Sequence, residues 1–328
     1  KGHAITSNDA SFGNVTYISD SKVTATFVYN GSNNTITVTS GTSSATGTVK
    51  VVVAENCYSV GDILFNDGTR IKAENVQYGV PDSQLDKAFA VITSVSYGGA
   101  EGKAVGLQRS SDYLNWAPNG TTGYSTNFTG IQADYSSSTS SGYSFTGDID
   151  GSDNWEYICS IDPEGTKDPA NNYPAFNFAF TYGTTAGLTG TEYENGWYVP
   201  SVAELYDVYT NKEVVQTSLN AAGGFTLGTS TYRSSSQHAS IINYAYQVSF
   251  SGSVYNYDFK NDDNNVFVLQ AFNAEQFNNY EYNTEISSVE IPTIAEGFVG
   301  EVPVTITGKE LIQKITVSGL TISTIDYI

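Results

Sequence analysis

Three carboxylates, Asp148, Asp150 and Asp153, stand close together in the run Gly147-Asp-Ile-Asp-Gly-Ser-Asp-Asn-Trp155. Oxygen donors every two or three residues on a glycine-bent loop suit Ca2+. Counted as an EF-hand from Asp148, however, the twelfth place holds Cys159 rather than Glu. The same residues also read as an Asx turn in which Asp153 or Asn154 caps the helix that follows. Asn261-Asp-Asp-Asn-Asn265 is a second acidic turn. In Ser235-Ser236-Gln237-His238 hydroxyls stand near an imidazole, but the chain has no Gly-x-Ser-x-Gly elbow. Gly98-Gly99 and Gly223-Gly224 lack the Lys-Ser/Thr of a phosphate loop. The expectation is that the chain is not an enzyme and needs no cofactor, Ca2+ at the aspartate loop being the best metal candidate and the Asn261–Asn265 turn reading first as a solvated loop. Cys57 and Cys159, the two cysteines, read either as one disulfide or as two separate thiols.

The elements that would carry these residues belong to a chain of 328 residues with 14 Lys+Arg against 34 Asp+Glu, a net charge of −20. Such a polyanion is repelled by phosphate backbones and anionic lipid, which removes nucleic acid and direct membrane insertion from the expected partners. With Gly 31, Tyr 24 and Phe 16, the composition describes a turn-rich, aromatic β protein with enough apolar content for a core. There is no Met; the expectation is a processed or excised piece of something longer.

Alternation of period two runs from Val15 through Val23–Val28, Ile36–Thr39 and Val49–Val53, with an expected turn at Asn30-Gly31. It returns at Ile286–Ile291, Val302–Thr307, Ile315–Val317 and Leu320–Ile322, with an expected turn at Gly308-Lys309. Neither end is long enough for a whole sandwich. They read as complementary halves, residues 275–328 supplying opening strands and residues 1–55 later ones. Ile315-Thr316 followed by Ile322–Ile328 lies over Ile5-Thr6 followed by Gly13–Ser19, as cutting a tandem repeat out of register would leave. The spacing of the middle, residues 56–274, predicts short strands such as Phe89–Val95 and Lys103–Leu107 and two helices. One starts at Ser201, with Glu204 completing a capping box and Val202, Leu205, Tyr206 and Tyr209 on one face. The other spans Asp153 to Ile161, with Trp155, Ile158 and Cys159 on one face.

Ordered blocks in the middle segment are Val60–Thr69, Gly102–Leu107, Gly147–Trp155, Asn172–Ala175, Gly196-Trp-Tyr-Val-Pro-Ser-Val-Ala-Glu-Leu205, Tyr232–Gln237 and Val266–Phe272. In these blocks the segment resembles the C-type-lectin-fold domains of bacterial surface proteins, relatives of the variable proteins of diversity-generating retroelements. The flanks are similar to the immunoglobulin-like repeats that accompany such domains. The resemblance implies a binding scaffold whose last stretch varies without disturbing the core. That stretch, Thr231 to Asn265, holds five Tyr, five Asn and seven Ser, a composition that supplies rigid contact area and adaptable hydrogen bonding. The Glu-Pro-Asn, Gln-Pro-Asp and Trp-Asn-Asp tripeptides of Ca2+-dependent sugar-binding C-type lectins do not occur.

The fold class expected is mostly β with an α+β centre: a C-type-lectin-like domain plus immunoglobulin-like β-sandwich segments. The expected function is extracellular display at a bacterial cell surface, for adhesion or ligand recognition. A protein or glycan on another cell or matrix would meet Tyr232, His238, Asn243, Asn256, Asp258, Asn261, Asp262 and Asn264, supported by buried Trp197 and Tyr198. The alternative is a structural subunit of a surface filament or repeat array, associating head to tail by strand complementation between split halves.

Overall fold

A computed structural model describes residues 11–19, 22–28, 35–40, 43–48, 56–139, 142–252, 255–282, 285–290 and 305–309. The expected strands Val49–Val53, Ile315–Val317 and Leu320–Ile322, the Asn30-Gly31 turn and most of the overlapping tail lie outside them. The chain divides into two units, Lys1–Glu55 and Asn56–Ile328.

In the first unit, β1 (Ser11–Ser19) pairs antiparallel with β2 (Lys22–Val28), and β3 (Thr35–Ser40) with β4 (Ser43–Thr48). β2 and β3 are rich in β-branched residues, which favour extended strands.

The second unit begins with β5 (Ile63–Phe65), β6 (Thr69–Ile71), the single turn α1 (Asp82–Leu85), β7 (Ala88–Ser96) and β8 (Glu101–Gly106). Next come α2 (Thr122–Ser125), β9 (Gln132–Thr139), β10 (Gly142–Gly147), α3 (Asn154–Ile161), α4 (Pro169–Asn172) and α5 (Pro174–Thr185). After α6 (Val202–Thr210) and α7 (Lys212–Ala221) follow β11 (Thr231–His238), β12 (Tyr244–Ser249), β13 (Tyr255–Phe259), β14 (Leu269–Asn273), β15 (Asn278–Asn279), β16 (Glu285–Glu290) and β17 (Thr305–Lys309). The two expected helices are present as α3 and α6, but α5 and α7 are additional. The centre is therefore more helical than its composition indicates. Gly308-Lys309, expected as a turn, lies inside β17, which pairs with β16.

Two sheets make the centre. The first has the order β14-β8-β7-β5-β6-β15 and the second β10-β9-β11-β12-β13. β7 is apolar and buried from Phe89 to Ile92, where it lies between β5 and β8 and is covered on both faces. Its Phe89 stacks on Tyr193 at 4.6 Å and meets Trp197 and Phe272 edge-on. α6 packs across β10, β11 and β12. Its Val202, Leu205 and Val208 join Ile63, Val91, Val105, Tyr232, Tyr246 and Phe267 in one core. That core does not stop at residue 274: Phe277 is buried and β15 pairs with β6 in the first sheet. Cys57 and Cys159 are half-buried and are not joined as a disulfide. No helix among the described residues is long and apolar enough to cross a membrane.

Candidate functional site

Glu204 is the hub beneath the segment Thr231–Asn265. The capping box closes as its spacing requires: Glu204 N donates to Ser201 Oγ (3.3 Å), and Ser201 N donates to Glu204 Oε2 (2.8 Å). The same oxygen accepts from Gly151 N (2.9 Å), while Oε1 accepts from Tyr198 OH (2.8 Å) and from Lys103 Nζ. Burial pushes the Lys103 ammonium down in pKa, and the Glu204 and Asp150 carboxylates more than offset it, leaving it above the ordinary lysine value. Gly151 is obligatory here, since a Cβ would lie 2.5 Å from Val199 O and 2.7 Å from Ser201 N. Trp197 donates to Tyr193 O (2.8 Å), and Tyr198 exchanges backbone bonds with Leu269. The Gly-Trp-Tyr-Val-Pro-Ser-Val-Ala-Glu-Leu block thus ties α6, β14 and the aspartate loop together. Ser235 N donates to Pro200 O and Val202 N to Ser236 Oγ, which seats β11 on the start of α6.

The oxygens of the aspartate loop are taken up by protein groups. Asp148 Oδ2 accepts from Asn154 Nδ2 and from Ser236 Oγ, both at 2.8 Å. Asp150 Oδ1 pairs with Lys103 Nζ at 3.2 Å and accepts from Ser152 N. Among the described residues no group of three or more His, Cys, Asp or Glu side chains is placed to hold a metal ion. A cation would have to displace Lys103, which already neutralises the loop. Burial, moreover, raises the Asp148 pKa to about 6, against its ordinary 3.8. Helix capping is corrected. Asp153 occupies the N-cap of α3 without a side-chain bond, and the Asn154 side chain turns inward to Asp148 and Ser235.

The expected recognition residues divide. Tyr232 is not part of a face. It is 0% exposed, donates to Leu227 O, and packs on Phe250 and Phe267 in the core, because its register partner Val248 faces α6. His238 is half-buried, stacked on Tyr246 and edge-on to Tyr257 at 4.4 Å. Burial lowers its pKa, partly countered by Asp134. Asn243 donates to Tyr124 OH (3.2 Å). Asn256 and Asp258 accept through Oδ1 from the next residues' amides, Tyr257 N (2.8 Å) and Phe259 N (2.9 Å). An amide so bonded is unavailable to another strand, so these side chains blunt the open edge of the sheet. Asn261 O accepts from Asn115 Nδ2, and Asn264 makes a bridge with Leu114. The Asp262 pKa is raised, first by a hydrogen bond shared with Asp258. Asn256, Asp258, Asn261, Asp262 and Asn264 therefore gather along β13 and its following turn, and His238 and Asn243 flank them.

Sequence reasoning missed two cations under this edge and the aromatic rings on it. Arg233, fully buried, donates to Ala245 O, Phe259 O and Asp262 O. Burial lowers its pKa to about 10 despite nearby Asp258, Asp262 and Asp263. Lys260 is 0% exposed; its Nζ donates to Gly123 O (3.0 Å), Thr126 O (3.0 Å) and Gln237 Oε1 (2.8 Å). The ammonium lies 4.5 Å from the Trp116 ring and 5.0 Å from Phe128. Burial pushes its pKa down to about 7. Above these bolts, Tyr246 stands opposite Tyr257 and Tyr244 opposite Phe259, so the four share one face. Tyr257 and Phe259 remain 37% and 38% exposed, with Ile242 beside them at 44%. The signal for the cations was their rarity: Arg233 and Lys260 are the only two between Thr231 and Asn265.

No family model matches the chain, and no curated protein matches it. Among solved structures, a fimbrial protein from Bacteroides ovatus ATCC 8483 is similar at 14% identity and a TM-score of 0.45. The similarity covers 82% of this chain and 65% of that one, so the chain spans less than two thirds of the length of that protein.

Proposed function

We propose that the chain is part of an extracellular bacterial surface protein whose central domain is C-type-lectin-like and is carried on immunoglobulin-like β segments. Its role is recognition, with no catalytic step. The reading rests on one observation: Tyr257 and Phe259 are half-exposed on an edge strand held rigid from below by Lys260 and Arg233. Preformed aromatic side chains give large contact area at little ordering cost. The strand's outward amides are already bonded to Asn256 and Asp258, so the contact is made by side chains rather than by strand addition. The net charge of −20 directs the choice of partner toward a protein or glycan and away from phosphate-rich surfaces. Labelled chain applied to intact bacterial cells and read by flow cytometry tests this. The double variant Tyr257→Ser/Phe259→Ser is expected to stay folded with a midpoint lowered by the lost ring contacts, while binding, measured well below that midpoint, falls by more than tenfold, since each lost aromatic anchor costs on the order of 2 kcal/mol. Binding that survives in the double variant overturns the face.

A second reading is favoured by a separate observation. The pairs β1–β2, β3–β4 and β16–β17 are each two-stranded among the described residues. An isolated two-stranded hairpin is marginal in water, so these ribbons are suited to completion by a neighbouring copy. Light scattering and electron microscopy of the chain are expected to show end-to-end association if this is its role. A monodisperse monomer counts against it.

A further inference from the structure

On the opposite side of α5 from the core, the helix faces the loop that follows β8 across a cleft of about 320 Å3. The division is set by helical spacing. Ala175, Phe176, Ala179, Tyr182 and Gly183 are buried, whereas Pro174, Asn177, Phe178, Thr181 and Thr185 form the cleft wall. These wall positions recur at three- and four-residue steps, one stripe of the helix. The opposite wall is Gln108 to Asp112, with Leu114 at its end.

The cleft is preformed. Gln108 N donates to Tyr182 OH (3.1 Å), which pins the loop to α5. The close approach requires Gly106, where a Cβ would fall 2.2 Å from that hydroxyl. Val266 N donates to Ser110 Oγ (3.0 Å), and Arg109 Nη1 donates to Asn265 Oδ1 (2.5 Å). The loop therefore keeps its shape without a ligand. The Phe178 ring is held edge-on by Tyr182 at 5.8 Å.

Its lining has a definite chemistry. The Arg109 guanidinium and the Asp112 carboxylate balance each other in charge. The side-chain amides of Gln108 and Asn177 line the cleft from opposite walls, and neither makes a hydrogen bond among the described residues. Each offers one acceptor and two donors. Phe178, Pro174 and Leu114 add apolar surface beside them. A cleft of this size lies at the small end of the usual range for small-ligand sites, and most of its lining side chains are polar. Neutral amides and hydroxyls beside a fixed aromatic ring match a molecule with hydroxyls along its rim and C–H groups on its faces, and they select no ionic charge.

We infer that this cleft between α5 and the Gln108–Leu114 loop is a binding site for one or two residues of a neutral saccharide. It is separate from the β13 edge, needs no metal ion, and does not depend on the sheet-edge reading.

Saturation-transfer NMR and calorimetry on the full chain test it, with methyl α-mannopyranoside, methyl β-galactopyranoside and N-acetylglucosamine as probes. At least one is expected to bind with a millimolar dissociation constant, as befits a shallow site. Gln108→Ala and Asn177→Ala, both at surface side chains, are expected to keep the native unfolding midpoint and to weaken that binding about tenfold each, the loss of one or two hydrogen bonds. The Tyr257→Ser/Phe259→Ser variant should bind the same sugar unchanged. The inference is overturned if none of the three sugars binds. It also fails if binding persists undiminished in both amide variants, or if it disappears in the sheet-edge variant.

Discussion

Lys260 offers the sharpest test of how the recognition segment is held. Its ordinary pKa of 10.5 falls to about 7 in the folded protein because the amine is buried. Between those values the unfolded chain binds a proton that the folded chain has released, so stability rises with pH across this window and levels off above it. One pKa unit corresponds to about 1.4 kcal/mol. Raising the pH from about 7 to about 9.5 should therefore stabilise the central unit by about 3 kcal/mol through this residue alone. Lys260→Met keeps an apolar stem against Trp116 and Phe128 but abolishes the titration. The variant also leaves Gly123 O and Thr126 O without their donor, a pH-independent loss of about 1–3 kcal/mol each. The assay is urea unfolding followed by tryptophan fluorescence, since Trp116, Trp155 and Trp197 all lie in the second unit. Native stability minus variant stability, measured at both pH values, cancels every group the two proteins share. That difference should grow by about 3 kcal/mol toward the alkaline side. A difference that stays constant with pH would refute a buried amine with a lowered pKa.

Asp148 titrates in the opposite sense. Its folded pKa of about 6 exceeds 3.8, so the folded state holds the proton more tightly and stability falls as pH rises through about 4 to 6. Asp148→Asn retains an acceptor for Asn154 and Ser236. It should therefore be more stable than the native chain at pH 7 by about 2–3 kcal/mol, with a flatter pH profile. A variant less stable at pH 7 would refute the raised Asp148 pKa, whereas a native midpoint raised by Ca2+ with an unresponsive variant would return the loop to metal binding. Glu204→Gln can keep its amide oxygen on Ser201 N and Gly151 N only by turning its NH2 toward Lys103 Nζ and Tyr198 OH, so Lys103 loses a charged acceptor and stability should fall by about 1.5–3 kcal/mol in urea unfolding. A loss below about 1 kcal/mol would mean that Glu204 is not the hub.

What the sequence revealed was local. Ser201 and Glu204 determine each other's bonds across a single helical turn, and α6 begins where that spacing places it. Alternation likewise located β7 and β8, expected at Phe89–Val95 and Lys103–Leu107. It failed where burial depends on what lies over the second face of a sheet. Alternation assigns Lys260 to solvent, yet Trp116, Phe128 and the Gly123–Thr126 carbonyls cover it. Tyr232 has the chemistry of a paratope residue, but its position opposite Val248 sends it into the core. α5 escaped notice because Phe178 and Phe180 add apolar residues to its outer side, erasing the contrast that marks an amphipathic helix. The bonds of the aspartate loop were hidden for a related reason. Lys103 and Ser236, distant in sequence, take the aspartate loop's oxygens.

The two buried cations explain how a segment rich in Tyr, Asn and Ser can vary along its exposed edge strand while the fold beside it stays intact. Arg233 and Lys260 bond chiefly to backbone carbonyls: Ala245, Phe259 and Asp262 for one, Gly123 and Thr126 for the other. A carbonyl is present whatever side chain its residue carries, so exchange of Asn243, Asn256, Tyr257 or Phe259 leaves these anchors in place. Edge protection is different, because it depends on side chains. Asn256 and Asp258 each block an outward amide, and only residues with a short acceptor can bond the next amide in this way. Free variation is therefore expected at Tyr257 and Phe259 and restricted variation at Asn256 and Asp258. Asn256→Val with Asp258→Val should open β13 to strand pairing, since an exposed apolar edge is a pairing template. Light scattering should then show association in that variant but not in Tyr257→Ser/Phe259→Ser. If the Val variant scatters no more than the Ser variant, the two acceptors are not what keeps this edge closed.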